Sequence, residues 1–178
     1  MPESNEWAPV NNASVNGFTD IVELLIDYGA NINVPDPSGR TLFTIAMANG
    51  FTELAQLLLE KSAANLAITD SNGWTPVGLV SAKGFTAMVE LLLQHGANPT
   101  IADEKGWTPL ILAVAGGFVD IVELLLENDA DPSNGDHSEW TPLTLATAEG
   151  YTDIVNLLLD KGADPDIKNG AGDTVPNS

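Results

Sequence analysis

The chain reads as an all-α helical solenoid, and three observations predict it. A glycine followed by an aromatic recurs at Gly17-Phe18, Gly50-Phe51, Gly84-Phe85, Gly117-Phe118 and Gly150-Tyr151, at intervals of 33, 34, 33 and 33 residues. Each phrase is followed by an apolar run of helical periodicity, such as Ile21-Val22-Glu23-Leu24-Leu25. Ahead of each lies a helix-opening segment: Ala8-Pro9-Val10, Thr41-Leu42-Phe43, Thr75-Pro76-Val77, Thr108-Pro109-Leu110 and Thr141-Pro142-Leu143. A fixed period of this length marks stacked units, each too small to bury its apolar face alone. Such a stack has no single core, and with 44% hydrophobic residues there is enough side chain to bury along it.

The unit from 103 to 135 shows how the residues dictate the elements. Asp103-Glu104-Lys105-Gly106 is a turn, because Asp bonds its own backbone and Gly tolerates positive φ. Thr108 then caps a helix, with Pro109 in the first turn, where its missing N–H costs nothing. Leu110, Leu112 and Ala113 supply that helix's buried side, and Gly116-Gly117 stops it. From Asp120 a second helix places Ile121, Val122, Leu124, Leu125 and Leu126 on a wide apolar stripe, with Glu123 and Glu127 outward. Units close with Gly29-Ala30-Asn31, Gly96-Ala97-Asn98 and Gly162-Ala163-Asp164, while Ser62-Ala63-Ala64-Asn65 carries one extra residue at Ala64.

Two helices and a turn in 33 residues, with Thr-Pro-Leu opening the first helix, resemble the ankyrin repeat. The resemblance implies an ankyrin-like helical solenoid of stacked antiparallel helix pairs, with β-hairpin or turn fingers projecting from one edge. It makes residues 1–178 a single array, with approximate repeats at 3–35, 36–69, 70–102, 103–135 and 136–168 and a partial sixth turn at 169–178. The family often carries His two residues after the Pro, where it ties neighbouring turns together. Here that slot holds Asn11, Thr44, Gly78, Ile111 and Thr144, which implies weaker ties between repeats, above all around Gly78. Leu42 stands where the other copies have Pro, and Glu6 and Glu139 replace the turn Gly. These irregularities favour a natural or naturally derived sequence over a consensus design.

Terminal units need a polar outer face. Asn12 fills the slot of Ile45, Leu79, Leu112 and Leu145, as suits a first unit, whereas Leu157, Leu158 and Leu159 keep the last complete helix apolar. The expectation is a monomer, with a truncated longer array or association through the C-terminal face as alternatives.

Composition narrows the function. With 25 acidic residues against 6 basic, the formal charge is −19, a field that repels nucleic-acid backbones and anionic membrane surfaces. The asymmetry is internal: nine acids and three bases precede residue 90, and 16 acids and three bases follow from it, so the second half attracts a basic partner more strongly. Without cysteine there is no disulfide framework and no thiolate metal site. No apolar run approaches the ~18 residues of a membrane span, and the acidic start, Met1-Pro2-Glu3, lacks the pattern of a signal peptide. An intracellular protein, cytoplasmic or nuclear, is the expectation, and Asn12-Ala13-Ser14 is then a chance glycosylation match.

Catalytic chemistry finds no foothold. His95 and His137 fall at different edges of the predicted stack, no Ser sits in a Gly-x-Ser-x-Gly elbow, and no Gly-rich phosphate loop is present. Asp129-Ala130-Asp131-Pro132-Ser133-Asn134-Gly135 puts Gly one place late for a calcium loop, and Trp140 stands where the bidentate Glu belongs. Acids such as Asp20, Asp120 and Asp153 recur at helix N-termini, which the helix dipole favours. Neither a metal nor a cofactor is expected.

A binding surface is the stronger expectation. All four tryptophans, Trp7, Trp74, Trp107 and Trp140, fall in one repeat slot, which Arg40 fills in the second copy. By the resemblance this slot lies at the base of the fingers on the concave side. Finger-tip residues Pro37, Ser38, Ser71, Asn72, Glu104, Lys105, His137 and Ser138 would line the same groove, and Asn49, Lys83 and Glu149 would lie on its floor. Trp and Arg dominate binding hot spots, and indole faces in an acidic field attract Lys or Arg. The same row equally serves to cover the turns. The leading expectation is a non-catalytic scaffold binding a protein or peptide with a basic patch. A groove for a small cationic ligand or a reaction, and a truncated or laboratory-derived scaffold, stand as alternatives.

Overall fold

The computed structural model describes residues 9–33, 35, 40–61, 66–70 and 73–167. These form ten α-helices and no strand. The chain divides into two compact units, Met1–Asn65 and Leu66–Ser178. The first holds α1 (Pro9–Val15), α2 (Thr19–Asp27), α3 (Leu42–Asn49) and α4 (Thr52–Lys61). In the second lie α5 (Pro76–Lys83), α6 (Thr86–Gln94), α7 (Pro109–Ala115), α8 (Val119–Glu127), α9 (Pro142–Glu149) and α10 (Thr152–Asp160).

The helices come in pairs joined by three residues or fewer, and like packs on like within each unit. In the first, α1 packs on α3 and α2 on α4; in the second, α5, α7 and α9 form one row and α6, α8 and α10 another. Apolar side chains between the rows make the core, including Leu42, Ile45 and Leu54 in the first unit and Leu110, Ile121 and Leu125 in the second.

Local chemistry sets the helix ends as the residues predict. Thr41, Thr75, Thr108 and Thr141 are extended N-caps whose hydroxyls accept from the backbone N–H three residues on. At the other end of the first helix a left-handed glycine lets the following aromatic N–H donate five residues back, as from Phe85 to Val80 and from Tyr151 to Ala146. Helices α2, α6, α8 and α10 start on that aromatic without a side-chain cap, and Asp20, Glu53, Asp120 and Asp153 sit in first turns near the positive end of the dipole.

The aromatics also interlock neighbouring pairs. Phe51 lies over Gly17, Phe118 over Gly84 and Tyr151 over Gly117; a methyl group on Gly84 would fall 2.7 Å from the Phe118 ring. In the first unit a polar clasp is added: Lys61 on α4 reaches α2, 3.1 Å from Asp27 and 3.7 Å from Glu23. The hydrogen bond from Lys61 to Asp27, and then the charges of both acids, hold its ammonium above the ordinary lysine range.

Candidate interaction surface

The fingers of the second unit are turns, each built around one aspartate. Asp103 N–H donates to the Trp107 carbonyl at 3.0 Å, and Asp103 Oδ1 accepts from the backbone of Lys105 and Trp107, both at 2.8 Å. Asp136 repeats the pattern with Ser138 at 2.8 Å and Trp140 at 2.9 Å. Asp70 does the same for Trp74 at 3.0 Å.

The second oxygen of these aspartates joins one finger to the next. Trp74 Nε1 donates to Asp103 Oδ2 at 3.0 Å, and Trp107 Nε1 to Asp136 Oδ2 at 3.1 Å. His137 N–H adds a backbone bond to the Lys105 carbonyl at 3.0 Å. A Trp–Asp ladder therefore runs along the fingers, supplying ties that the sequence implied were weak where His is missing. Close approach is possible because Gly106 has no side chain: a Cβ there would lie 2.9 Å from the His137 backbone nitrogen and ring. Charge assistance makes each Trp–Asp bond stronger than a neutral one.

At the end of this ladder lies a trough of about 400 Å³, open to solvent. Trp107 and Trp140 form its walls with Asp136 and Ser138; Ile111, Leu145 and Ala148 supply an apolar floor, and the exposed Glu149 stands at its edge. Both indoles are half-buried. Trp140 Nε1 has no acceptor among the described residues, unlike the other two. The trough thus gathers two indoles and two carboxylates, Asp136 and Glu149, around an apolar base.

The predicted site residues separate into groups. Trp107, Trp140 and Glu149 meet in the trough. Trp74 belongs to the ladder but not to the trough. Glu104, Lys105 and His137 are exposed at neighbouring finger tips. Lys83, at the end of α5, is exposed with its Nζ 6.0 Å from the Phe85 ring centre. In the first unit Arg40 is exposed, and Asn49 is exposed with its amide donating to the Ile45 carbonyl at 2.8 Å. Trp7, Pro37, Ser38, Ser71, Asn72 and the sixth turn at 169–178 lie outside the described residues, as does Ala64. Residue reading missed the acceptor role of Asp103 and Asp136 and the floor residues Ile111 and Leu145. The signal was present: an Asp stands four residues before each of Trp74, Trp107 and Trp140.

Among the described residues no helix is long and apolar enough to cross a membrane, and no three His, Cys, Asp or Glu gather as a metal site would need. Stacked helix pairs with finger turns define a repeat solenoid, and the open trough lies along its fingers.

A family model of ankyrin repeats (three copies) matches residues 10–103 and again 79–169. The chain belongs to the ankyrin repeat family, whose repeats generally mediate protein–protein interaction and are typically non-catalytic. It is 42% identical over 57 residues to a protein of Rickettsia bellii (strain RML369-C) described as an ankyrin repeat protein; the match covers 32% of this chain and 8% of that protein. It is 37% identical over 54 residues to the glycerophosphocholine phosphodiesterase gde1 of Schizosaccharomyces pombe, covering 30% of this chain and 5% of that enzyme. The chain thus matches less than a tenth of the length of either relative.

Proposed function

We propose that the chain is a non-catalytic binding module whose Trp107–Trp140 trough takes a protein segment presenting Lys or Arg beside an apolar side chain. The trough itself carries this reading, since it places two indole faces and Glu149 around an apolar floor. A cation over an indole face gains about 0.5–2 kcal/mol, more as it is desolvated. Leu145 and Ala148 would receive the neighbouring apolar group, and Trp140 Nε1 would donate to a backbone carbonyl of the guest. The formal charge of −19 would speed the approach of a basic segment, an effect that falls as salt rises.

A short-peptide display library selected against the chain tests this. The expected winners carry a basic residue next to an apolar one, and they release when Glu149→Lys is introduced or Trp140 is replaced by Ala, while circular dichroism stays unchanged. Winners without basic residues, or binding that survives both substitutions, would overturn the reading.

A further inference from the structure

The second helix of the first pair has the side chains of an interior helix but lacks its cover. Ile21 on α2 is 48% exposed, whereas its counterparts Leu54, Ile121 and Ile154 are all at 0%. Leu24 is 56% exposed against 8% for Leu57, and Phe18 is 54% exposed. Tyr28, 86% exposed, occupies the slot from which Lys61 reaches back to Glu23 and Asp27. In α4, α8 and α10 this face is packed on the preceding second helix.

The opposite deficit appears on α10. Val122 and Leu126 of α8 are buried, but the matching Val155 is half-buried and Leu159 is 38% exposed. Gly17, Gly84 and Gly117 each lie beneath an aromatic ring of the next pair, whereas a Cβ on Gly150 would meet nothing within 4 Å. The α2 face therefore carries a ring with no glycine to cover, and the α10 face a glycine with no ring above it.

We propose that this α2 face docks on the α10 face of a second copy of the chain, head to tail. The contact continues the interface already built between α8 and α10: Phe18 seats over Gly150, Ile21 and Leu24 pack on Val155 and Leu159, and the Tyr28 hydroxyl donates to Asp160. Asp160 stands in the slot of Asp27, the acceptor of Lys61. Two different surfaces meet, so the association is heterologous and adds copies without closing unless the rotation happens to form a ring. Because each copy carries a charge of −19, repulsion opposes the contact and salt favours it. This is the reverse of the salt dependence expected at the trough.

Sedimentation velocity of the intact chain, at low salt and at about 1 M salt where the Debye length is ~3 Å, tests the proposal. The expected result is a series of species that grows with protein concentration and with salt. Two neutral double variants then separate the ends: Ile21→Gln with Leu24→Gln at one, and Val155→Gln with Leu159→Gln at the other. Each alone should be monomeric, and an equimolar mixture should give a one-to-one dimer and nothing larger. If a double variant loses its helical circular dichroism, Tyr28→Ala and Gly150→Ala replace the pair. A chain that stays monomeric at high salt would overturn the proposal, as would a dimer abolished at one end only or a mixture that remains monomeric.

Discussion

Among the described residues, neighbouring repeats in the two units are held by different polar clasps. In the first, Lys61 crosses between second helices to Asp27 and Glu23, on the exposed side. In the second, the clasp sits at the fingers, where half-buried indole N–H groups reach aspartates that also shape their own turns. Among the described residues the apolar interlock is common to both units, whereas the helix-edge clasp is seen in the first and the finger clasp in the second. A flexible, exposed ammonium is a weak clasp. A rigid indole on a fixed carboxylate is a stronger one, and it leaves the aromatic faces available for binding.

Gly106→Ala should break the comparison most, by opening the finger edge of the second unit. At φ 83° an alanine is strained, and its Cβ would lie 2.9 Å from the His137 backbone nitrogen, so the finger must shift. A loss of about 3 kcal/mol is expected from strain and overpacking together. Urea unfolding checks this, and an unchanged midpoint would show that the fingers move apart without penalty.

Glu139→Gly should sharpen it in the other direction. Glu139 sits at φ 63° in the slot where Gly73 and Gly106 take φ 80° and 83°. Relief of a left-handed non-glycine residue, offset by the extra freedom of glycine when unfolded, should stabilise by about 0.5–1 kcal/mol. Thermal unfolding reads the sign.

The smallest effect belongs to the first unit. Because the Lys61 pKa is raised by Asp27 and Glu23, its stabilisation is complete below the unfolded value of ~10.4 and disappears as pH climbs through the raised folded value. Lys61→Gln should therefore melt slightly below the parent at neutral pH, with the gap closing in alkali. A gap that widened there would contradict the clasp.

Most of the fold was legible because every repeat states it again. Caps, stops and apolar stripes are local, and five copies average out exceptions such as Leu42 and Glu139. The site was half legible. Trp107, Trp140 and Glu149 could be placed by register, but the Trp–Asp bond joins residues 29 apart, outside any local pattern. The uncovered face of α2 could not be read at all. Its residues are those of an interior helix, while the polar Asn12 falls on α1 and the apolar leucines on α10. Of those leucines, Leu158 is buried.

The most direct test of the account is a double-mutant cycle of Trp107→Phe and Asp136→Ala, read as unfolding free energy. Asp136→Ala also removes the cap of its own turn, and the cycle cancels that part. A coupling of about 1.5–3 kcal/mol is predicted, the range of a hydrogen bond to a charged group. Additivity within ~0.3 kcal/mol would mean that the tryptophan row does not hold the fingers together.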